Sequence, residues 1–206
     1  MNFPNIVISI FFTSLLFSSC ANEANIYKDC TPVCNDGNVN AIIEIPAGTV
    51  EKWEFNKKNG ALQRDSLNEK PRTINYLGYP GNYGMIPQTI LSKEKGGDGD
   101  PLDIIVIGAP VDKGSITKCK IIGVLKLLDR NEKDDKLIAV AHNSSLYPVN
   151  SLTELNNQYH GILEIIEIWF TNYKGPNKMV SLGYSNKETA IDILNSAIAE
   201  YQSLLK

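Results

Sequence analysis

The 206-residue chain has little histidine, little cysteine and no large excess of either charge. Its 20 basic and 23 acidic residues give a formal net charge of −3. This balance argues against general binding to nucleic acid or to an acidic membrane surface, since both need a basic protein surface. Neither a P-loop nor a serine–histidine–aspartate order is visible, so NTPase and serine-hydrolase mechanisms have little support. Hydrophobic residues at 43% are nevertheless sufficient for a packed core.

The first 19 residues contain no charged side chain, and they hold four of the six phenylalanines. This apolar stretch is short for a membrane span and is typical of a signal peptide. The sequence Leu16-Phe-Ser-Ser-Cys20 resembles a bacterial lipobox, which predicts a lipid-modified Cys20 that holds the protein at a membrane surface of the bacterial cell envelope. An uncleaved anchor and a secretory signal cut elsewhere are the alternatives. Residues 20–38 are then interpreted as a tether or irregular extension.

The remaining cysteines do not indicate catalysis. Cys30 and Cys34 could form a small disulfide in an oxidising compartment. A zinc site there is a weak interpretation, because four ligands are usual and the only histidines, His142 and His160, are distant in sequence. Cys119 lies in an apolar alternating stretch and is interpreted as a small buried hydrophobe.

The body of the chain predicts strands followed by helices. Alternating or β-branched runs predict strands at 39–45, 50–55, 102–107, 116–128 and 137–141. Capping boxes at Ser151–Glu154 and Ser185–Glu188, together with helical spacing over 156–170 and 191–205, predict helices in the last third. The order indicates an α+β fold, mainly β, in which a small barrel or sheet carries packed helices over one domain at 39–206.

An acidic cluster precedes the third predicted strand. Asp98, Asp100 and Asp103 fall within six residues, and such close carboxylates repel one another unless cations lie among them. Their oxygen ligands suit Mg²⁺, Mn²⁺ or Ca²⁺, although a plain surface turn explains the same residues. An EF-hand is excluded, because Pro101 interrupts the loop and Ala109 stands at its twelfth position.

Further charged and phenolic residues extend this pattern. Asp129, Asp134 and Asp135 flank a predicted hairpin, and Glu44 lies between apolar residues of a strand. Cations and phenols that could bind oxyanions accompany them: Lys52, Arg72, Lys136, Lys174, Lys178, Tyr79, Tyr83 and Tyr173. Carboxylates for metals beside donors for oxyanions are what metal-assisted phosphoryl transfer requires.

At these residues the sequence resembles the family I soluble inorganic pyrophosphatases. The segment Asp98-Gly-Asp-Pro-Leu-Asp103 matches that family's D-x-D-P-x-D signature and leads into a strand. Other segments match in the family's order across about residues 39 to 205: Ile43-Glu-Ile-Pro-Ala47, Tyr79-Pro-Gly-Asn-Tyr-Gly84, Gly123-Val-Leu-Lys126 through Lys136, and Asn172-Tyr-Lys174 with Lys178.

The resemblance implies a closed barrel related to the OB fold, with helices around it. It also implies hydrolysis of pyrophosphate to two phosphates by a metal-activated water, with several Mg²⁺ ions per site or Mn²⁺ in their place. Asp100 would be the general base. The implied metal ligands are Asp98, Asp103, Asp129 and Asp134, the phosphate-binding residues are Lys52, Arg72, Tyr83, Tyr173 and Lys174, and the supporting residues are Glu44, Tyr79, Lys136 and Lys178. Spacing permits Arg64 in place of Arg72.

Two other functions stay open at this point. One is a non-catalytic envelope lipoprotein that binds Ca²⁺ through its acidic loops. The other is a metal phosphohydrolase that acts on polyphosphate or nucleoside triphosphates. The partners expected are pyrophosphate, the membrane through Cys20 and further copies of the chain, with no nucleic acid.

Overall fold

A computed structural model describes residues 25–205 of the chain. The predicted signal peptide and the predicted lipidation site Cys20 lie outside these residues. No helix within residues 25–205 is both long and apolar enough to cross a membrane.

The centre of the molecule is a seven-stranded sheet, so the prediction of a mainly β protein with packed helices is confirmed. Its strands are β1 (Val39–Ile45), β6 (Asn82–Met85), β7 (Asp103–Ile107), β8 (Ile116–Asp129), β9 (Glu132–Lys133), β10 (Lys136–Ala141) and β11 (Met179–Ser185). Their order in the sheet is β1-β6-β7-β10-β8-β11, with β9 beside β8. Because β1 also pairs with β8, the order of pairing over β1, β6, β7, β10 and β8 returns to β1.

Two short hairpins and four helices complete the fold. The hairpins pair β2 with β3 and β4 with β5. Their strands are β2 (Trp53–Phe55), β3 (Leu62–Arg64), β4 (Ser66–Leu67) and β5 (Lys70–Pro71), and the helices are α1 (Ile26–Asp29), α2 (Leu152–Gln158), α3 (Ile162–Asn172) and α4 (Lys187–Ser203), with a 3₁₀ turn at Lys93–Lys95.

The sheet is buried on both faces because its central strands carry apolar side chains at nearly every position. In β7, Ile105 and Ile107 belong to a core cluster with Trp169 of α3. The alternate residue Ile104 belongs to a second cluster with Leu194 of α4. This alternation follows from the two-residue repeat of a strand. The helices therefore cover opposite faces. The charged residues at the strand ends line a cavity together with residues of the β2–β3 hairpin.

Two local predictions need correction. The helical pattern over 156–170 is interrupted, because Gly161 adopts a left-handed φ of 89° and separates α2 from α3. The second capping box is displaced by one residue. Ser185 is the last residue of β11, and Asn186 instead accepts the hydrogen bond from Thr189 N at 3.1 Å. The first capping box is confirmed, since Ser151 Oγ accepts from Glu154 N at 3.1 Å.

Part of the predicted extension packs against the sheet domain. Residues 25–38 contain α1, and Val33 forms a bridge with Val39. Tyr27 is only 5% exposed. Cys30 and Cys34 are free thiols, and Cys119 is fully buried as expected.

Candidate active site

One cavity of about 480 Å³ collects almost all of the predicted site residues. They reach it from the ends of β1, β6, β7, β8 and β10, from the loop before β7 and from the end of α3. Those lining it are Glu44, Lys52, Arg72, Tyr79, Tyr83, Asp98, Asp100, Asp103, Asp129, Asp134, Lys136, Tyr173 and Lys174. Lys178 is exposed in the turn before β11 and does not line this cavity.

Lys136 is the buried charge at the floor of the cavity. Its Nζ donates to Asp103 Oδ2 at 2.5 Å and to Asp134 Oδ1 at 2.6 Å. Burial alone would lower the pKa of Lys136, but the charges of Asp103 and Asp134 outweigh it and raise that pKa above its usual value. Lys136 therefore stays protonated and neutralises part of the repulsion between the two carboxylates.

Asp129 has one oxygen that is paired and one that is not. Its Oδ2 accepts from Lys174 Nζ at 2.8 Å. Its Oδ1 is buried and has no hydrogen-bond partner among the described residues. A buried carboxylate oxygen without a partner is costly, so this atom is suited to a cation.

The loop Asp98–Asp103 presents its first two carboxylates at the mouth of the cavity. Asp98 Oδ1 accepts from Asp100 N at 2.8 Å, and Gly99 between them takes a left-handed φ of 86°. Burial raises the pKa of Asp98, and the charges of Asp100 and Asp103 raise it further. The ionised form of Asp98 is therefore destabilised, which a nearby cation would relieve.

Lys57 is a cavity residue that the sequence did not single out. It lies in the turn between β2 and β3, where its Nζ forms an ion pair with Asp100 and donates to Gly99 O at 3.1 Å. The segment Lys58-Asn-Gly60 indicates a turn, but nothing in the sequence shows that this turn faces the Asp98–Asp103 loop. Glu54, which pairs with Lys52 at 2.9 Å, lines the cavity and was likewise missed.

Glu44 is a buried acid on β1. Its Oε1 accepts from Phe55 N at 2.8 Å. Burial raises the pKa of Glu44 to about 8, and the charges of Asp103 and Glu54 add to the effect, against a lowering by the Phe55 hydrogen bond and Lys52. Near neutral pH this carboxyl is therefore mainly protonated in the metal-free protein.

Aromatic rings form one wall of the cavity. The Tyr79 ring lies 5.2 Å from Tyr83 and 4.4 Å from Trp169, and Trp169 stacks on Tyr173 at 4.5 Å. Burial raises the pKa of Tyr79 and of Tyr83 above the usual tyrosine range. Both hydroxyls therefore remain protonated and can donate hydrogen bonds to an oxyanion.

The structure separates the two candidate arginines. Arg72 lines the cavity, and its Nη1 donates to Asp65 Oδ2 at 2.9 Å. Arg64 does not line it, because it pairs with Glu51 at 2.9 Å and lies over the Trp53 ring. Only Arg72 is in a position to contact a ligand in this cavity.

The donor set of the cavity fits a hard divalent cation. Within residues 25–205 no three acidic, histidine or cysteine side chains are already grouped as a metal site, since lysines pair with several of the acids. The lining of the cavity nevertheless contains several carboxylates, including Asp129 with its unpartnered Oδ1, and neither histidine nor cysteine. Such ligands suit Mg²⁺ or Mn²⁺ and not a thiophilic metal.

Comparison with known proteins connects this cavity to one family. A family model described as inorganic pyrophosphatase matches residues 41–202. The inorganic pyrophosphatase of Campylobacter jejuni is 33% identical over 168 residues, which cover 80% of this chain and 92% of that protein. Among solved structures, an inorganic pyrophosphatase from Helicobacter pylori matches with a TM-score of 0.67 and 32% identity. The match covers 80% of this chain and 94% of that chain.

A longer relative has the same fold. The type I inorganic pyrophosphatase from P. falciparum has a TM-score of 0.78 and 27% identity over 86% of this chain. The match spans 62% of that longer chain. Because the family model matches residues 41–202, which is most of the chain, the chain belongs to the inorganic pyrophosphatase family.

Proposed function

We propose that the chain hydrolyses inorganic pyrophosphate to two phosphates in this cavity. The observation that carries the proposal is the grouping of metal-suited carboxylates and anion-binding cations and phenols around one space of about 480 Å³. A structural calcium site would need the carboxylates but would have no use for Arg72, Lys174 and the buried tyrosines. Relatives named inorganic pyrophosphatase, one of them 33% identical over most of the chain, support the same reaction.

The cofactor proposed is Mg²⁺, several ions per site, with Mn²⁺ as a substitute. Asp98, Asp103, Asp129 and Asp134 would hold it. When bound, the divalent cations neutralise the charge of pyrophosphate and lower the pKa of water.

The residues of the chain itself accept a proton and bind the phosphate groups. Asp100, whose side chain is 61% exposed at the mouth of the cavity, accepts the proton of the attacking water. As the new P–O bond forms, the bridging P–O bond breaks and the leaving phosphate departs. Lys52, Arg72, Tyr83, Tyr173 and Lys174 hold the phosphate oxygens and stabilise the charge that develops on the leaving group.

Supporting residues fix these groups in place. Lys136 keeps Asp103 and Asp134 together despite their like charge. Tyr79 packs between Tyr83 and Trp169 and orients the aromatic wall. Glu44 acts from outside the metal ligands, through water. Lys178 would contribute at longer range, since its side chain is exposed outside the cavity lining.

The finer architecture is also proposed to be a closed OB-like barrel. Support comes from the strand pairing, which runs from β1 through β6, β7, β10 and β8 and returns to β1. We further propose that the protein forms a homo-oligomer.

The cellular location proposed is the bacterial cell envelope, with a lipid on Cys20 as the anchor. Support comes from the uncharged leader at residues 1–19 and the lipobox-like sequence that ends at Cys20. The lipid would hold the enzyme at a membrane surface without a transmembrane helix.

One assay tests the proposed reaction against its alternatives. Phosphate release is measured from pyrophosphate, ATP and polyphosphate, each with Mg²⁺, Ca²⁺ or a chelator. We expect release from pyrophosphate with Mg²⁺ and none with the chelator. Stabilisation by Ca²⁺ without any phosphate release would favour the binding lipoprotein, and preferential release from ATP or polyphosphate would favour the other phosphohydrolase.

A further inference from the structure

The segment before the family match packs against the backbone that carries the acidic loop. Tyr27 of α1 lies 14 positions before residue 41, where the family model begins. Its hydroxyl donates to Thr89 O at 2.8 Å, and Tyr27 O accepts from Gln88 N at 3.3 Å. Gln88 Nε2 donates to Lys28 O at 2.6 Å. Three hydrogen bonds thus join α1 to residues 88 and 89.

Residues 86–91 in turn bond to the Asp98–Asp103 loop at two places. Thr89 Oγ1 accepts from Leu102 N at 3.0 Å, and Ile86 N donates to Leu102 O at 2.9 Å. Nearer the start of the loop, Leu91 N donates to Asp100 O at 2.9 Å, and Leu91 O accepts from Gly99 N at 2.8 Å. Thr89 is fully buried, so water cannot replace its hydrogen bonds without local opening of the fold. The position of this loop therefore depends on the position of Thr89.

Gln88 adopts a backbone conformation that needs support. Its φ is +52°, a left-handed value that residues other than glycine rarely take. Both its amide and its side chain bond to α1. Such conformations persist where surrounding contacts over-determine them.

The same segment also contacts the opposite side of the cavity mouth. Asn25 Nδ2 donates to Lys58 O at 3.3 Å, and a Cβ on Gly60 would come within 2.6 Å of Asn25 Oδ1. Lys58 and Gly60 belong to the turn between β2 and β3, which also contains Lys57, the residue that pairs with Asp100. The start of the described chain thus touches both segments that meet at Asp100.

We propose that Tyr27 is a positioning residue, which fixes the Asp98–Asp103 loop through Thr89 and so prepares it for metal binding. The inference rests on the proposed function only for the role of that loop. Burial raises the pKa of Tyr27 above the usual tyrosine range, so its hydroxyl keeps the proton that it donates. A segment outside the family match thereby contributes to the site.

The test compares Tyr27→Phe with Tyr184→Phe. The first removes the hydroxyl but keeps the ring that packs edge-on against Tyr201 at 5.5 Å. The second removes a similar bond, from Tyr184 Oη to Leu163 O at 2.8 Å, away from the acidic loop. Hydrogen exchange of residues 98–103 is measured in the metal-free full-length protein, and calorimetry measures binding of Mg²⁺ alone.

For Tyr27→Phe we expect roughly two- to tenfold faster exchange of the loop, which matches the loss of one buried hydrogen bond, and weaker Mg²⁺ binding. The KM for pyrophosphate at saturating Mg²⁺ should stay unchanged, and Tyr184→Phe should leave the loop's exchange as in the wild type. Unchanged exchange in Tyr27→Phe, equal acceleration in both variants, or faster exchange with unchanged Mg²⁺ binding would overturn the proposal. If the wild type released no phosphate from pyrophosphate, the proposed function would fail, whereas the exchange comparison would still decide the role of Tyr27.

Discussion

Lysine ammonium groups accompany the carboxylates that face the cavity. Lys136 bridges Asp103 and Asp134, Lys174 pairs with Asp129, and Lys57 pairs with Asp100. In the metal-free protein these lysines reduce the repulsion that clustered acids would otherwise suffer. A bound metal ion would add positive charge to a site whose negative charge the lysines already neutralise in part. Asp129 Oδ1, which is buried without a hydrogen-bond partner among the described residues, would gain its first partner in this way.

The sequence predicted most cavity residues because each belongs to a short local pattern. Asp98, Asp100 and Asp103 stand within one loop, and their match to the D-x-D-P-x-D signature gave them their predicted roles. Lys57 could not be found in this way, because its contact with Asp100 joins two residues that lie 43 positions apart in the sequence. Lys178 was predicted from the segment Asn172–Lys178, which resembles a phosphate-binding segment of the family, but in the structure it is exposed and does not line the cavity.

Glu44 makes stability depend on pH. Its pKa is raised to about 8 in the folded protein, against an unfolded value near 4.5. Between these values the folded state holds a proton that the unfolded state releases, so this contribution to stability is full below pH 4.5 and is lost as pH rises through about 8. As pH rises, we expect the free energy of unfolding of the wild type to fall further than that of Glu44→Gln. The difference should exceed about 1 kcal/mol, the equivalent of about one pKa unit.

Urea unfolding in the presence of a chelator, at several pH values between about 5 and about 8, measures the free energy of unfolding of both proteins. This range lies between the two pKa values of Glu44. Glu164→Gln, at an exposed position on α3, is the control and should parallel the wild type. Parallel pH profiles for the wild type and Glu44→Gln would contradict the raised pKa of Glu44.

At the scale of elements, patterns of hydrophobic residues predicted β1, β7, β8 and β10 closely, but they missed other strands and the ends of some elements. The prediction for β1 at 39–45 matches its observed bounds, because its apolar run is bounded by clear turn residues. Strand β11 was missed, since its exposed Val180 and Leu182 and the bulge at Gly183, with φ of +83°, obscure the alternation. The break between α2 and α3 was missed because apolar spacing continues across Gly161.

The N-cap of α4 offers a test at this scale. Asn186 Oδ1 accepts from Thr189 N at 3.1 Å and from Thr189 Oγ1 at 2.8 Å. We expect Asn186→Ala to lower the free energy of unfolding by about 1 kcal/mol, because the first helical turn loses its cap. The rate of pyrophosphate hydrolysis should not change, since Asn186 does not line the cavity.

Ser185→Ala is the matched control, because Ser185 was the predicted cap and lies instead in β11. Chemical denaturation should show a clearly smaller loss for it than for Asn186→Ala. The reverse order would mean that the helix begins one residue earlier than in the structure.

The net charge of the whole molecule has the same sign as the proposed substrate. A protein of net charge −3 is an unexpected receptor for a multiply charged anion. The proposed resolution is local, because the acids of the cavity bind divalent cations and the site then attracts the anion. Bulk charge therefore predicted which large polyanions the surface avoids, but not which small anion the cavity binds.

The predicted signal peptide at residues 1–19 gives a testable prediction at this scale. Expressed from the full sequence in a bacterium, the wild type should fractionate with membranes and carry lipid on Cys20 at its mature N-terminus. Cys20→Ser should abolish the modification and Cys30→Ser should not, since Cys30 lies beyond the lipobox-like sequence. Mass spectrometry of the mature protein measures both, and an intact, unmodified Met1 on the wild type would contradict the lipoprotein assignment.

The most direct test of the central claim is phosphate release from pyrophosphate with Mg²⁺ by the wild type and by Asp100→Asn. Loss of the proposed general base should lower kcat by about 10²- to 10⁴-fold while circular dichroism shows an intact fold. Asp112→Asn, at an exposed aspartate outside the cavity lining, should retain the wild-type rate. Wild-type turnover by Asp100→Asn would remove Asp100 from its role, and no turnover by the wild type itself would contradict the proposed function.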